Sequence, residues 1–147
     1  MLRFCMVLIL TFACAIPAMA ENSFVGSAAC GKCHEREYSR FHKYSKKARA
    51  WHSVEIMASK LTPEELKSCY GCHTTGYGND GFVDIKTTPH LADVGCETCH
   101  GPGAKHAATG EPDDITLKPD LENCMGCHNE SRVKAFNFKP LIASGAH

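Results

Sequence analysis

The pentapeptide Cys-x-x-Cys-His occurs four times in this chain, at Cys30 to His34, Cys69 to His73, Cys96 to His100 and Cys124 to His128. On a helix the two cysteines lie about one turn apart and emerge on one face. Both thiols can then add to the vinyl groups of one porphyrin while the following histidine falls under the iron. Structural zinc and thioredoxin-like redox chemistry also use CxxC pairs, but neither requires histidine at the next position four times in four. The repeat therefore describes a scaffold for four covalently held haem c groups, with thioethers at Cys30, Cys33, Cys69, Cys72, Cys96, Cys99, Cys124 and Cys127 and proximal iron ligands His34, His73, His100 and His128.

Residues 1–20 read as a secretory signal peptide. Arg3 gives a positive start, Phe4 to Ala15 is almost wholly apolar, and Ala18-Met19-Ala20 is a small-x-small cleavage site. The apolar run is too short to span a bilayer comfortably, and a lipoprotein anchor at Cys14 is disfavoured by Thr11 and Phe12 before it. Sec-dependent export with cleavage after Ala20 would leave residues 21–147 as one tetrahaem domain, periplasmic or extracellular and without a transmembrane segment. Cys5 and Cys14 leave with the signal, so every remaining cysteine belongs to a CxxCH motif and none is left for a disulfide or a nucleophile.

Leu, Ile, Val and Phe supply 20 of the remaining 127 residues, below the roughly 20% at which a chain starts to look unable to fold. Porphyrin must then fill the core, and the apoprotein is expected to be largely unfolded. Fifteen basic and 16 acidic side chains balance in the mature chain, which excludes a nucleic-acid footprint. Haem propionates would turn the holoprotein acidic, a charge suited to a basic patch on a redox partner.

The expected fold is mainly α with extensive loops, short helices wrapped around the haems and little or no sheet. Glu35 to Lys60 has neither Gly nor Pro, and Tyr38, Phe41, Tyr44, Ala48 and Trp51 recur three or four apart, as one buried helix face would. Thr62-Pro63-Glu64-Glu65 starts a helix with Thr as N-cap, Pro at the first position and Glu three residues after the cap; the second motif ends that helix. Thr74 to Gly81 reads as a loop, Phe82 to Ile85 as a brief strand, and Thr88-Pro89-His90 as a turn. Gly101-Pro102-Gly103 breaks the chain after His100 and lets His106 point elsewhere. Glu111 to Pro119 is a polar connector, Leu121 to Phe138 looks helical, and Pro140 to His147 is an irregular tail.

Five histidines remain as distal ligand candidates: His106, His90, His147, His52 and His42. Methionine barely competes, since Met57 and Met125 are all that stay in the mature chain. Mostly bis-histidine ligation follows, with lower potentials than Met/His ligation gives. Four macrocycles inside a chain whose radius of gyration is roughly 14 Å cannot lie far apart, so electrons should pass readily between them.

The order of the four motifs, the run Cys69-Tyr70-Gly71-Cys72-His73-Thr74-Thr75-Gly76-Tyr77, and Gly95-Cys96 through Gly101-Pro102-Gly103 to His106 resemble the tetrahaem cytochrome c-554 family. The resemblance runs from about Ser27 to His128 and implies a helical, haem-stacked fold and periplasmic electron transfer. It further implies that His106 serves the first haem, a histidine soon after His34 the third, and a late one, His147, the fourth, with His90 filling a second-haem position that the family can leave without a ligand. Family members often carry W-x-x-S-x-H-x-x-A after the first motif. The corresponding run is Phe41 to Ala50, with Ser45 kept and Lys47 where the histidine would be, flanked by His42 and His52, between which the reading inclines to His52.

These features favour an electron carrier between periplasmic or outer-surface redox proteins rather than a catalyst. The alternatives are a multihaem oxidoreductase acting on a small nitrogen or sulfur compound at an open haem, with Lys47 and Arg49 beside it, and a filament-forming extracellular cytochrome in which His147 or His42 ligates a neighbour's iron and makes a homo-oligomer. No CxxCK motif, the mark of multihaem nitrite reductases, occurs.

Overall fold

The computed structural model describes residues 22–129. The expected signal peptide, most of the expected helix beyond the fourth motif, and His147 lie outside the described residues. Within them the chain is helical and contains no strand: α1 (Ser27–Cys30), α2 (Glu35–Tyr44), α3 (Ala50–Ala58), α4 (Pro63–His73), α5 (Cys96–His100), α6 (Ala104–Thr109) and α7 (Leu121–Met125), joined by loops and short 3-10 turns.

The expected long helix over Glu35 to Lys60 is divided. Ser45 is extended, with φ −88° and ψ 127°, and its hydroxyl accepts from the Lys47 amide to start the 3-10 turn Lys46–Arg49 before α3 begins. Because the turn resets the helical phase, the 3.6-residue face does not carry through. Phe41 and Ala48 are buried, but Tyr44 is 66% exposed, and Val54, outside the expected stripe, is buried instead.

The start of α4 follows the sequence closely. The Thr62 hydroxyl accepts from the Glu65 amide and the Glu65 carboxylate accepts from the Thr62 amide, a reciprocal capping box with Pro63 at the first helical position. The brief strand expected over Phe82 to Ile85 does not form. The Asp84 carboxylate accepts from the Lys86 and Thr87 amides and curls the segment into a turn, while Phe82 drops into the core at 2% exposure.

That core is small and aromatic. Val54, Tyr70, Phe82, Leu91 and Ala92 form it, with Phe24, Trp51, Leu66, Cys69 and Tyr77 packed around them. Tyr70 and Phe82 meet edge to face, with centroids 5.2 Å apart, and Trp51 contacts both. The cluster fastens α3 to α4 and holds the second motif against the Leu91 turn.

Candidate metal centre

Each CxxCH motif lies on or at the end of a helix. The second closes α4, the third is the whole of α5, and the first and fourth leave α1 and α7 through a tight turn in which the histidine amide returns to the carbonyl of the first cysteine, His34 to Cys30 at 2.8 Å and His128 to Cys124 at 2.9 Å. Cysteine pair and histidine are thus fixed by backbone hydrogen bonds.

Three of the candidate histidines have their tautomer set by the main chain. The Nδ1–H groups of His73, His100 and His106 donate to the carbonyls of Ala50 (2.9 Å), Thr116 (2.6 Å) and Glu111 (2.8 Å). A histidine that spends its Nδ1–H in this way keeps its lone pair on Nε2, which is how metal-binding imidazoles are oriented.

The rings of His34 and His106 lie with centroids 6.1 Å apart and planes 20° from parallel. Two imidazoles holding one metal ion through bonds of about 2.0–2.1 Å would have ring centres roughly 6.3 Å apart. The Gly-Pro-Gly break makes this meeting possible: Gly101 adopts φ +81° and ends α5, so α6 carries His106 away from His100.

His42 and His52 differ sharply. His52 is an exposed side chain 3.6 Å from Glu55. His42 is packed between Tyr38, at 4.2 Å, and Phe41, and its Nε2 is buried without a hydrogen-bond partner. An orphaned buried ring nitrogen costs about 1–3 kcal/mol, and a metal would satisfy it. His90 stands on the 3-10 turn Pro89–Leu91 with its ring against Gly26, one residue before Leu91, whose carbonyl accepts the Thr75 amide. The residues present therefore fit haem c: anchored imidazoles, two histidine rings at a spacing one metal ion could bridge, and a buried nitrogen lacking a partner.

The motifs also approach one another. Cys30 shares a hydrogen bond with Cys96, which pushes the Cys30 thiol up and pulls the Cys96 thiol down. Burial, with the Cys72 sulfur alongside, pushes Cys127 up to about 11. Burial likewise raises Cys99, which feels Cys124 across the α5–α7 contact. A thioether no longer titrates, so what persists after haem attachment is position: first motif beside third, second beside fourth, third beside fourth.

Sequence reading missed the residues that fix these positions. Glu97, between the cysteines of the third motif, is 2% exposed and accepts from the amides of Val25 (2.9 Å), Gly26 (2.7 Å) and Gly103 (2.7 Å). The Ser27 hydroxyl accepts from the Cys96 amide at 3.0 Å. Buried Thr75 donates to the Asp93 carbonyl and accepts from the Gly95 amide, tying the loop after the second motif to the entry of the third. A Cβ on Gly95 would collide with the Ser27 hydroxyl and stand 3.0 Å from that of Thr75. These bonds link residues up to 72 apart in sequence, and no local pattern announces them.

Short helices without sheet among the described residues, four of them bearing CxxCH motifs held near one another, define a multihaem c-type cytochrome. The family model described as "Cytochrome c554 and c-prime" matches residues 29–101. The chain is 29% identical to "Cytochrome c-554" of Nitrosomonas europaea over 139 residues, covering 74% of this chain and 59% of that protein. It is 38% identical over 86 residues to the "C-type polyheme cytochrome OmcB" of Geobacter sulfurreducens, covering 54% of this chain and 11% of that one. It is 30% identical over 91 residues to the "Multiheme cytochrome MtrA" of Shewanella baltica, covering 52% and 27%. The chain therefore spans less than two thirds of the length of each of these relatives, and no solved structure gives a significant match. These matches make the chain similar to the cytochrome c-554 family.

Proposed function

We propose that this protein is an exported tetrahaem electron carrier whose haems are mostly bis-histidine ligated and closely packed, passing electrons between periplasmic or outer-surface redox proteins. The observation that carries the proposal is the 6.1 Å spacing of the His34 and His106 rings, because two protein imidazoles on one iron would exclude substrate from it and leave electron transfer as its chemistry. Haem c, when bound at the four motifs, supplies a one-electron couple at each iron.

The chain's own residues would do the rest. His34 and His106 hold the first iron. His73 and His100 are oriented through Ala50 and Thr116 to act as proximal ligands of the second and third, and His128 serves the fourth. We assign the open distal position after the first motif to His42 rather than His52, since its buried Nε2 has no hydrogen-bond partner. His90 is the candidate for the second haem and His147 for the fourth. The adjacency of motifs one and three, three and four, and four and two offers a continuous route. No described helix is long and apolar enough to cross a membrane, and an exported carrier needs none.

Electron paramagnetic resonance of the oxidised protein, with carbon monoxide added after reduction, tests the proposal. Low-spin signals and no carbon monoxide adduct are expected. A substantial high-spin signal with ligand binding would favour the second reading, an oxidoreductase acting on a small nitrogen or sulfur anion. That reading draws on Lys47, whose charge is felt by Cys99, Cys124, Cys127 and His128. A homo-oligomer through shared histidines would appear in light scattering at high concentration, where the carrier reading expects a monomer.

A further inference from the structure

Among the described residues Glu97 is the one carboxylate that is buried to 2% exposure, and no cation pairs with it there. Both oxygens act only as acceptors, receiving amides from Val25, Gly26 and Gly103, which is the hydrogen bonding of an anion. Gly103 favours that approach, since a Cβ there would stand a tight 3.1 Å from Oε1. The donors come from two places: the segment leading into the first motif, and the break that follows the third.

We propose that Glu97 sets the potentials of the haems carried by the first and third motifs, holding both low by placing a fixed, desolvated negative charge between their attachment points. The inference rests on the tetrahaem reading above. Buried charge is screened far less than surface charge, and the net charge around a haem is one of the means by which a protein sets its potential. Three amide dipoles keep the charge in place without cancelling it, and the ferric state of a nearby iron is favoured over the ferrous. The field reaches both sites: Glu97 is bonded to Cys96 in the chain, and it accepts the Val25 and Gly26 amides directly before α1, which ends on Cys30 of the first motif. Among the described residues the hydrogen bonds of the Glu97 carboxylate run to Val25, Gly26 and Gly103 and not to the second or fourth motif.

The test is a spectroelectrochemical titration of the purified holoprotein with haem-resolved NMR, comparing wild type, Glu97→Gln, Glu97→Asp and the exposed control Glu64→Gln. The proposal expects two haem potentials, those of the first and third motifs, to rise in Glu97→Gln, to stay near wild type in Glu97→Asp, and to be unaffected in Glu64→Gln. Unchanged potentials in Glu97→Gln, an equal rise at every haem, or an equal rise in Glu97→Asp would overturn it, the last because a purely structural role is lost in both variants. If Glu97→Gln fails to retain haem, redox-difference infrared spectroscopy of the wild type decides. A carboxylate band insensitive to deuterium exchange should shift as those two haems are reduced, and its absence rejects the proposal. Haem count and spin state of the same wild-type sample are read first. A shortfall there counts against the tetrahaem reading, whereas intact haems without the shift count against Glu97 alone.

Discussion

Replacing His106 by alanine gives a sharp test of the geometry around the first motif. The wild-type ring lies 6.1 Å from that of His34, against the roughly 6.3 Å that two metal–imidazole bonds impose, and Glu111 fixes its tautomer. Alanine cannot reach across that gap, so one haem equivalent should pass from low-spin six-coordinate to a high-spin form and bind one equivalent of carbon monoxide after reduction. Loss of a donor nitrogen should also raise that haem's potential. Added free imidazole should restore the low-spin spectrum, because the vacated space is one ring in size. Haem-resolved NMR should assign the changed site to the peptide containing Cys30 and Cys33. An unaltered spectrum, or a change at the haem of Cys96 and Cys99, would refute the assignment and return His106 to the role of an ordinary helix residue.

His42→Ala should likewise produce a high-spin haem in paramagnetic resonance, whereas His52→Ala, at an exposed site beside Glu55, should leave the spectrum unchanged. Apoprotein prepared without haem should give a largely unfolded circular dichroism spectrum, since so few apolar side chains are buried; a compact, protease-resistant apoprotein would contradict this. Thr62→Ala removes the hydroxyl that caps α4, so the Glu65 and Leu66 amides of the holoprotein should exchange about fivefold faster. Hydrogen bonds from Lys105 and Thr109 hold the Asp114 carboxyl below the usual carboxylate range. A depressed pKa contributes stability above the unfolded value that is lost as pH falls through the folded one. Exchange in residues 104–114 should therefore quicken only below the usual carboxylate range, and Asp114→Asn should abolish that pH dependence.

Covalent chemistry made much of the site legible. Two thioethers and an axial ligand demand fixed spacing, so the CxxCH motifs stand out without any knowledge of the fold. Local backbone signals were legible as well: the capping box at Thr62 and the break at Gly101 both act within a few residues. The division of residues 35–60 was not, because a single serine hydroxyl competing for the Lys47 amide resets the helical phase inside an otherwise uniform stretch. Nor was the turn at Asp84, where an apolar flanking pattern suggested a strand but no segment among the described residues pairs with it. Glu97 and Thr75 were invisible for a different reason. Their partners are distant in sequence, and the polar side chain of a CxxCH spacer looks like a surface residue until the fold closes over it.

The intact mass of the protein purified from the cells that make it, isolated under denaturing conditions, tests the central claim most directly. A chain beginning at Glu21 and carrying four covalent haems is expected. Fewer than four additions, or retention of residues 1–20, would contradict the account.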